Sequence, residues 1–140
     1  CNNKVVKTAN ISFPEKKLTN ETFLLMKNLR KDMNNQNLNN YIKSVINISF
    51  LTNKFINDEE PWKLKESNIE KMNNILHLSL EQIAKISLLL SPIIPIAATK
   101  VLAALSINKD LVKLSFLDNK NILKKKVELK SLDILFKKVV

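Results

Sequence analysis

The chain has 140 residues and 16.1 kDa, with 45% hydrophobic and 26% charged residues, which suits one folded domain with a core of moderate size and excludes a disordered segment. Glycine is absent, which excludes phosphate loops and dinucleotide fingerprints, both of which need glycine where backbone approaches phosphate. One cysteine (Cys1) and one histidine (His77) exclude an internal disulfide and a Cys/His zinc site. The net charge of +10 and pI near 9.7 suit a polyanionic partner, nucleic acid above all. Arg30 is the one arginine among 23 basic residues, so the bidentate phosphate fork is nearly missing. A chain this rich in Lys, Asn and Ile also fits drift toward an A/T-rich genome, and charge alone does not select RNA. Residues 1–9 carry charge and no long apolar run, so no signal peptide is expected. The longest apolar stretch, Ile86–Ala98, contains Pro92 and Pro95 and is too short to span a bilayer. A cytoplasmic location and no membrane partner are therefore expected. The first residue is Cys1 rather than Met, as in a piece of a longer chain; an acylated N-terminal cysteine is the alternative.

Residues 1–18 read as an irregular lead-in, because Val5, Val6, Ile11 and Phe13 hold no helical period and Pro14 interrupts them. Thr19 or Asn20 then caps a first helix, with Glu21 and Thr22 in its first turn. Leu25, Met26, Leu29 and Met33 face inward, Lys27, Asn28, Arg30 and Lys31 outward, and the polar run Asn34–Asn37 ends it. A second helix, about Leu38–Asn57, carries Leu38, Tyr41, Ile42, Val45, Ile46, Ser49 and Thr52 on one stripe, widened by Ile48, Phe55 and Ile56. Asp58, Glu59 and Glu60 follow, and Pro61 forces an exit. Ser67 and Glu70 form a capping box for a third helix reaching Ser91, roughly 37 Å long. Its inward stripe is Ile69, Met72, Leu76, Leu80, Ile83 and Leu90, with Glu70, Asn74, His77, Glu81 and Lys85 on the opposite, polar face. On that face His77 reads as solvated and Glu81–Lys85 as a surface pair worth about 0.3–0.5 kcal/mol.

Pro92 and Pro95 break the chain before a small, apolar fourth helix over about Ile96–Leu105. Lys124, Lys125 and Lys126 read as a solvated run, and Val127-Glu128-Leu129-Lys130 alternates as a short strand does. Leu135 and Phe136 close the chain as an apolar plug. The expected fold is all-α: an antiparallel helical bundle of about four helices over residues 19–106, with a short irregular or β-like C-terminal tail over 107–140.

The informative segment is Asn53-Lys54-Phe55-Ile56-Asn57-Asp58-Glu59-Glu60-Pro61-Trp62-Lys63-Leu64, a helix end, an acidic turn, then Pro and the only Trp. Pro restricts its own backbone and that of the residue before it. A Trp fixed just beyond such a turn offers a stacking face to a nucleic-acid base, worth about 1–3 kcal/mol in single-stranded recognition. Chemistry alone favours the other reading, in which Trp62 covers the bundle end as a core residue.

This segment resembles the asparagine–aromatic–acidic–PW motif of the anticodon-binding domain of methionyl-tRNA synthetase. Leu38, Tyr41, Ile42, Val45 and Ile46 match the apolar positions of the helix leading into that motif. Leu88-Leu89-Leu90-Ser91-Pro92-Ile93-Ile94-Pro95 is similar to the family's leucine-rich helix end, where an SP–P break precedes a helix of small residues. Ile134-Leu135-Phe136 is similar to the family's LFPR tail, with Lys137 where that pattern has Pro. The likeness covers residues 38–105 well and 122–140 weakly, and is unspecific before 38.

The resemblance implies that this helical domain reads a CAU anticodon with its bases splayed from the loop. The family's stacking role carries over to Trp62, and its loop-positioning role to Pro61. Asn57 stands where the family usually has Asp, and its amide adds a donor that a carboxylate lacks. Asn53 matches the family's Asn, with a cap or turn role as natural as RNA contact. Lys54 and Lys63 flank the motif as candidate phosphate contacts. The family's other anticodon readers, an Asn-x-x-x-Arg pair on an opening helix, have no match here, and the chain is expected to begin just after that helix. Catalytic residues are also expected to be absent: His-x-Gly-His is impossible without Gly, and Lys-Met-Ser-Lys-Ser does not occur. By resemblance the parent is a methionine–tRNA ligase using ATP and Mg; no cofactor or metal is expected in this stretch. The implied partners are tRNA(Met) and a catalytic domain of the same polypeptide. Two other readings stay open: the matching domain of a related class I synthetase (Val, Ile, Leu or Cys), and a stand-alone basic helical adaptor.

Overall fold

A computed structural model describes residues 3–107 and 122–136. Its elements are β1 (Lys4–Val6), α1 (Phe13–Asn34), α2 (Leu38–Glu59), a short 3-10 helix (Pro61–Leu64), α3 (Ile69–Leu90), α4 (Pro95–Ala104) and β2 (Lys126–Glu128). Four helices form a bundle in which α3 is central, touching α2, α4, the 3-10 helix and β1.

Helix α1 begins at Phe13 and not at Thr19 or Asn20, so the irregular lead-in expected over residues 1–18 is corrected. Ser12 is the N-cap, and its N–H donates to the Glu15 Oε2 at 3.3 Å. Pro14 sits in the first turn, where its missing N–H costs no intrahelical bond. Thr19 lies inside the helix, its hydroxyl donating to the Glu15 carbonyl at 2.9 Å.

The polar run after α1 ends that helix and starts the next one. Gln36 adopts a positive φ of 55°, and the Asn37 side chain caps α2 by accepting from the Asn40 N–H at 3.3 Å. Tyr41, Val45, Ile48, Thr52 and Phe55 form the buried side of α2, whereas Ile46 and Leu38 are exposed. The stripe thus centres on Ile48 and Phe55, which the sequence placed at its edge. Asn68, rather than Ser67, caps α3 by accepting from the Lys71 N–H at 2.9 Å.

Three packed clusters make the core. Leu29, Tyr41, Val45, Ile48 and Leu89 join α1, α2 and α3, and Leu18, Phe55 and Ile75 join the same helices nearer the 3-10 helix. Ala84, Leu105, Leu123 and Val127 join α3 to α4 and the tail. Tyr41 donates its hydroxyl to the Leu89 carbonyl at 2.6 Å.

The face of α3 expected to be solvated is largely buried. Asn74, His77, Glu81 and Lys85 are each at most 6% exposed. The side chains of Asn74, His77 and Glu81 serve backbone that has no regular partner. Asn74 accepts from the Thr8 N–H at 2.8 Å and donates to the Asn10 carbonyl at 2.7 Å. His77 Nε2 bonds the Lys124 carbonyl at 2.8 Å. The Glu81 carboxylate accepts from the N–H of Ile122 and, at 2.8 Å, of Leu123. Burial pushes the Lys85 ammonium below the usual lysine range, a shift that Glu81 opposes and Lys7 reinforces. His77 is therefore not solvated, and Glu81 and Lys85 are not a surface pair.

The tail strand falls at Lys126–Glu128, one residue before the expected alternation, and pairs antiparallel with β1, Val5 opposite Val127. An ion pair of 3.1 Å from Lys4 holds the Glu128 carboxyl below its usual range. Leu135 is half-buried and Phe136 is 65% exposed, so these two residues lie along a groove mouth and do not plug the core. The part of the tail at 108–121, with Lys137 and the last residues, lies outside the described residues.

Candidate nucleic-acid interface

The segment around Trp62 is built by a sharp exit from α2. Glu60 takes a left-handed conformation (φ 43°, ψ 58°) and closes the helix by donating its N–H to the Ile56 carbonyl. That conformation costs a non-glycine residue about 1–2 kcal/mol, so surrounding contacts must hold it. Pro61 is buried and opens the 3-10 helix, which the Lys63 N–H stabilises by donating to the Glu60 carbonyl at 2.9 Å. Beyond it, Leu64 packs on the Leu18–Phe55–Ile75 cluster and accepts the Asn68 N–H at 2.9 Å.

Between these two anchors Trp62 is left 57% exposed. The structure thus separates the two sequence readings of this residue: the ring is a surface feature on a fixed turn and does not fill the bundle end. Asn53, Lys54 and Asn57 are exposed on the last turns of α2, leading toward the turn. Asn53 also borders an apolar groove of about 370 Å³, lined further by Ile56 of α2, Ile86 and Leu90 of α3, Ala98 and Val101 of α4, and Leu135 and Phe136.

The acidic turn beside Trp62 is largely neutralised within the fold. Glu59, whose side chain is only 12% exposed, pairs with Lys71 at 2.9 Å, and Glu60 pairs with Lys63 at 2.8 Å. No motif or spacing marks the Glu59–Lys71 pair, which spans the turn to α3. Lys63, expected to meet a phosphate, is thus committed to Glu60. Exposed pairs of this kind are worth about 0–1 kcal/mol, so a phosphate could compete for it at little cost. Phe50, 65% exposed one turn before Asn53, is a further surface aromatic, lying off the apolar stripe of α2.

A cavity of about 230 Å³ lies between α1, α3 and the segment joining β1 to α1, and includes Glu15, His77, Glu81 and Lys85. Both Glu81 oxygens are taken by backbone N–H groups and His77 by a carbonyl. Among the described residues no three His, Cys, Asp or Glu side chains converge as metal ligands, and no helix is long and apolar enough to cross a membrane.

Comparison with known proteins places this architecture. The family model described as the anticodon binding domain of methionyl tRNA ligase matches residues 5–140. A methionine–tRNA ligase of Rickettsia felis is 37% identical over 78 residues, 56% of this chain and 15% of that protein. One from Bacteroides fragilis is 28% identical over 97 residues, 69% of this chain and 14% of that protein. Among solved structures, the free Mycobacterium tuberculosis methionyl-tRNA synthetase superposes on 99% of this chain with a TM-score of 0.87 at 16% identity, using 28% of its own length. The same enzyme bound by methionyl-adenylate superposes on 96% of the chain with a TM-score of 0.87 at 17% identity, using 27% of its length. The chain therefore spans under a third of these relatives. A turn that fixes an exposed tryptophan at the end of a four-helix bundle and a family match over nearly the whole length agree: the chain belongs to the family of anticodon-binding domains of methionyl-tRNA ligase.

Proposed function

We propose that this chain is the anticodon-reading part of a methionine–tRNA ligase and recognises the CAU anticodon of tRNA(Met), with Trp62 stacking on the first anticodon base. The observation that carries the reading is the 57% exposure of Trp62 on a turn held from both sides. A ring already ordered in the free protein loses little entropy when a base stacks on it. Asn57 and Asn53 offer amide donors and acceptors to base edges from the end of α2, and Pro61 fixes the turn. Lys54 and, by exchange with Glu60, Lys63 reach phosphates. Single-stranded bases splayed from a loop are read in this way, by stacking together with hydrogen bonds to their edges.

The catalytic domain, with ATP, Mg and methionine, belongs in this reading to the rest of the same polypeptide, working in the cytoplasm. The family's opening helix would come from that part. The test is aminoacylation by the intact polypeptide of tRNA carrying CAU or a substituted first anticodon base. Wild type should strongly favour CAU. Trp62→Ala should charge the CAU tRNA about ten- to hundredfold less efficiently, the equivalent of one lost base stack of about 1–3 kcal/mol. A folded Trp62→Ala enzyme that charges the CAU tRNA as well as wild type would overturn the reading.

A further inference from the structure

Helix α1 presents an outward face that anticodon-loop reading leaves unused. Lys16, Lys17, Lys27 and Lys31 are all exposed on it, and none makes an ion pair among the described residues. No exposed residue of α1 is acidic: Glu15 is buried, and Glu21 and Asp32 are half-buried. Exposed carboxylates mix with the lysines at Asp58, Glu66, Glu70, Glu128 and Asp133; α2 up to Asn57 and α4 expose none either, but they expose only Lys43, Lys54 and Lys100. Compositional drift would load lysine on every outward surface alike and does not explain four on one acid-free face of α1. Phe23 and Leu24, 59% and 62% exposed, lie midway along the same face.

The position of this face matches its charge. The first turns of α1 lie at the Trp62 end of the bundle, because Leu18 shares a cluster with Phe55, against which Leu64 of the 3-10 helix also packs. From there the lysines run along the helix, Lys16 to Lys31, over roughly 22 Å at about 1.5 Å per residue. We infer that this face of α1 is a second RNA-binding surface, taking the phosphate backbone of the strand that leads away from the loop bases held at Trp62. The inference rests on the anticodon reading proposed for Trp62. Lysines suit this role because they act as point charges on phosphates and fix the position of an RNA without reading its bases. Phe23 supplies an aromatic face for a sugar or an unstacked base beside them.

The test uses the intact polypeptide and tRNA(Met) over a salt series, with Lys16→Gln, Lys17→Gln, Lys27→Gln and Lys31→Gln combined. A control combines Lys43→Gln, Lys100→Gln, Lys126→Gln and Lys130→Gln, four exposed lysines away from α1 and from the Trp62 turn. Each phosphate that is no longer neutralised lowers the slope of log affinity against log salt by about 0.7–0.9, so the α1 variant should lose about 3 and bind at least tenfold more weakly at moderate salt. Its preference for CAU over a substituted anticodon should not change, and the control should keep the wild-type slope. An unchanged slope in the α1 variant, or an equal loss in the control, overturns the inference. So does loss of binding to anionic phospholipid vesicles with the tRNA slope intact, which would assign the face to a membrane surface. Failure of the anticodon reading looks different: Trp62→Ala would charge the CAU tRNA as well as wild type while the α1 variant still lost its salt slope.

Discussion

Replacing Glu81 by Gln should loosen the C-terminal tail from α3. The Glu81 carboxylate lies 3% exposed and accepts from two consecutive backbone N–H groups, those of Ile122 and Leu123. Hydrogen bonds to a charged acceptor contribute about 1.5–3 kcal/mol each. A glutamine keeps one oxygen and turns an NH₂ toward the other N–H, so one bond is lost and one buried donor is orphaned. The buried Lys85 ammonium also loses the charge that favours its protonated form. We expect Glu81→Gln to destabilise the fold by about 2–4 kcal/mol, a large part of the roughly 5–15 kcal/mol typical of a domain. Denaturant unfolding measures the loss, and amide hydrogen exchange at Ile122 and Leu123 locates it: both amides should exchange much faster in the variant. A stability within about 0.5 kcal/mol of wild type, with protection unchanged at those amides, would refute the view that this carboxylate fastens the tail.

Two further outcomes follow from the same structure. Tyr41→Phe should cost about 1–3 kcal/mol in denaturant unfolding, because it leaves the buried Leu89 carbonyl without the 2.6 Å hydroxyl bond. Burial pushes the Glu15 carboxyl above its usual range, against the opposing bonds from Ser12. A raised folded-state value means that the unfolded chain binds fewer protons there, so this group's penalty holds at neutral pH and is relieved as pH falls toward the ordinary carboxylate value. Glu15→Gln should therefore raise stability relative to wild type near pH 7, with the gain shrinking on acidification in a pH series of unfolding midpoints.

The helices are legible in the sequence because their patterns are long and locally consistent. Leu29, Tyr41 and Val45 fall on three-to-four spacing and meet in one cluster, whereas Leu89, which joins them from α3, lies off the stripe read for that helix, whose Ile69 and Ile83 are exposed. Pro95 and the small residues after it locate α4 within a residue. The start of α1 is also written there, in Ser12 and Glu15 at capping-box spacing around Pro14. Proline reads as a breaker by default, yet Pro14 stands where a helix tolerates it best. Strand β1 is not legible. It is three residues long, and its partner lies at the far end of the chain. The same distance hides the fate of Asn74, His77 and Glu81. A polar residue on a helix reads as solvated unless one knows which backbone will dock against it, and here that backbone comes from residues 8–10 and 122–124. At the candidate site the PW motif locates Trp62, while the Glu59–Lys71 pair that steadies its turn depends on α3 folding back.

The central claim is a stack between Trp62 and the first anticodon base, and a fluorescent cytosine analogue at that position of tRNA(Met) tests it most directly. Stacking on an indole quenches such a base, so the intact wild-type protein should quench it on binding, Trp62→Phe should quench less, and Trp62→Ala should leave it bright at saturating protein. Quenching by Trp62→Ala equal to that of wild type would show that another group holds the base and would contradict the account.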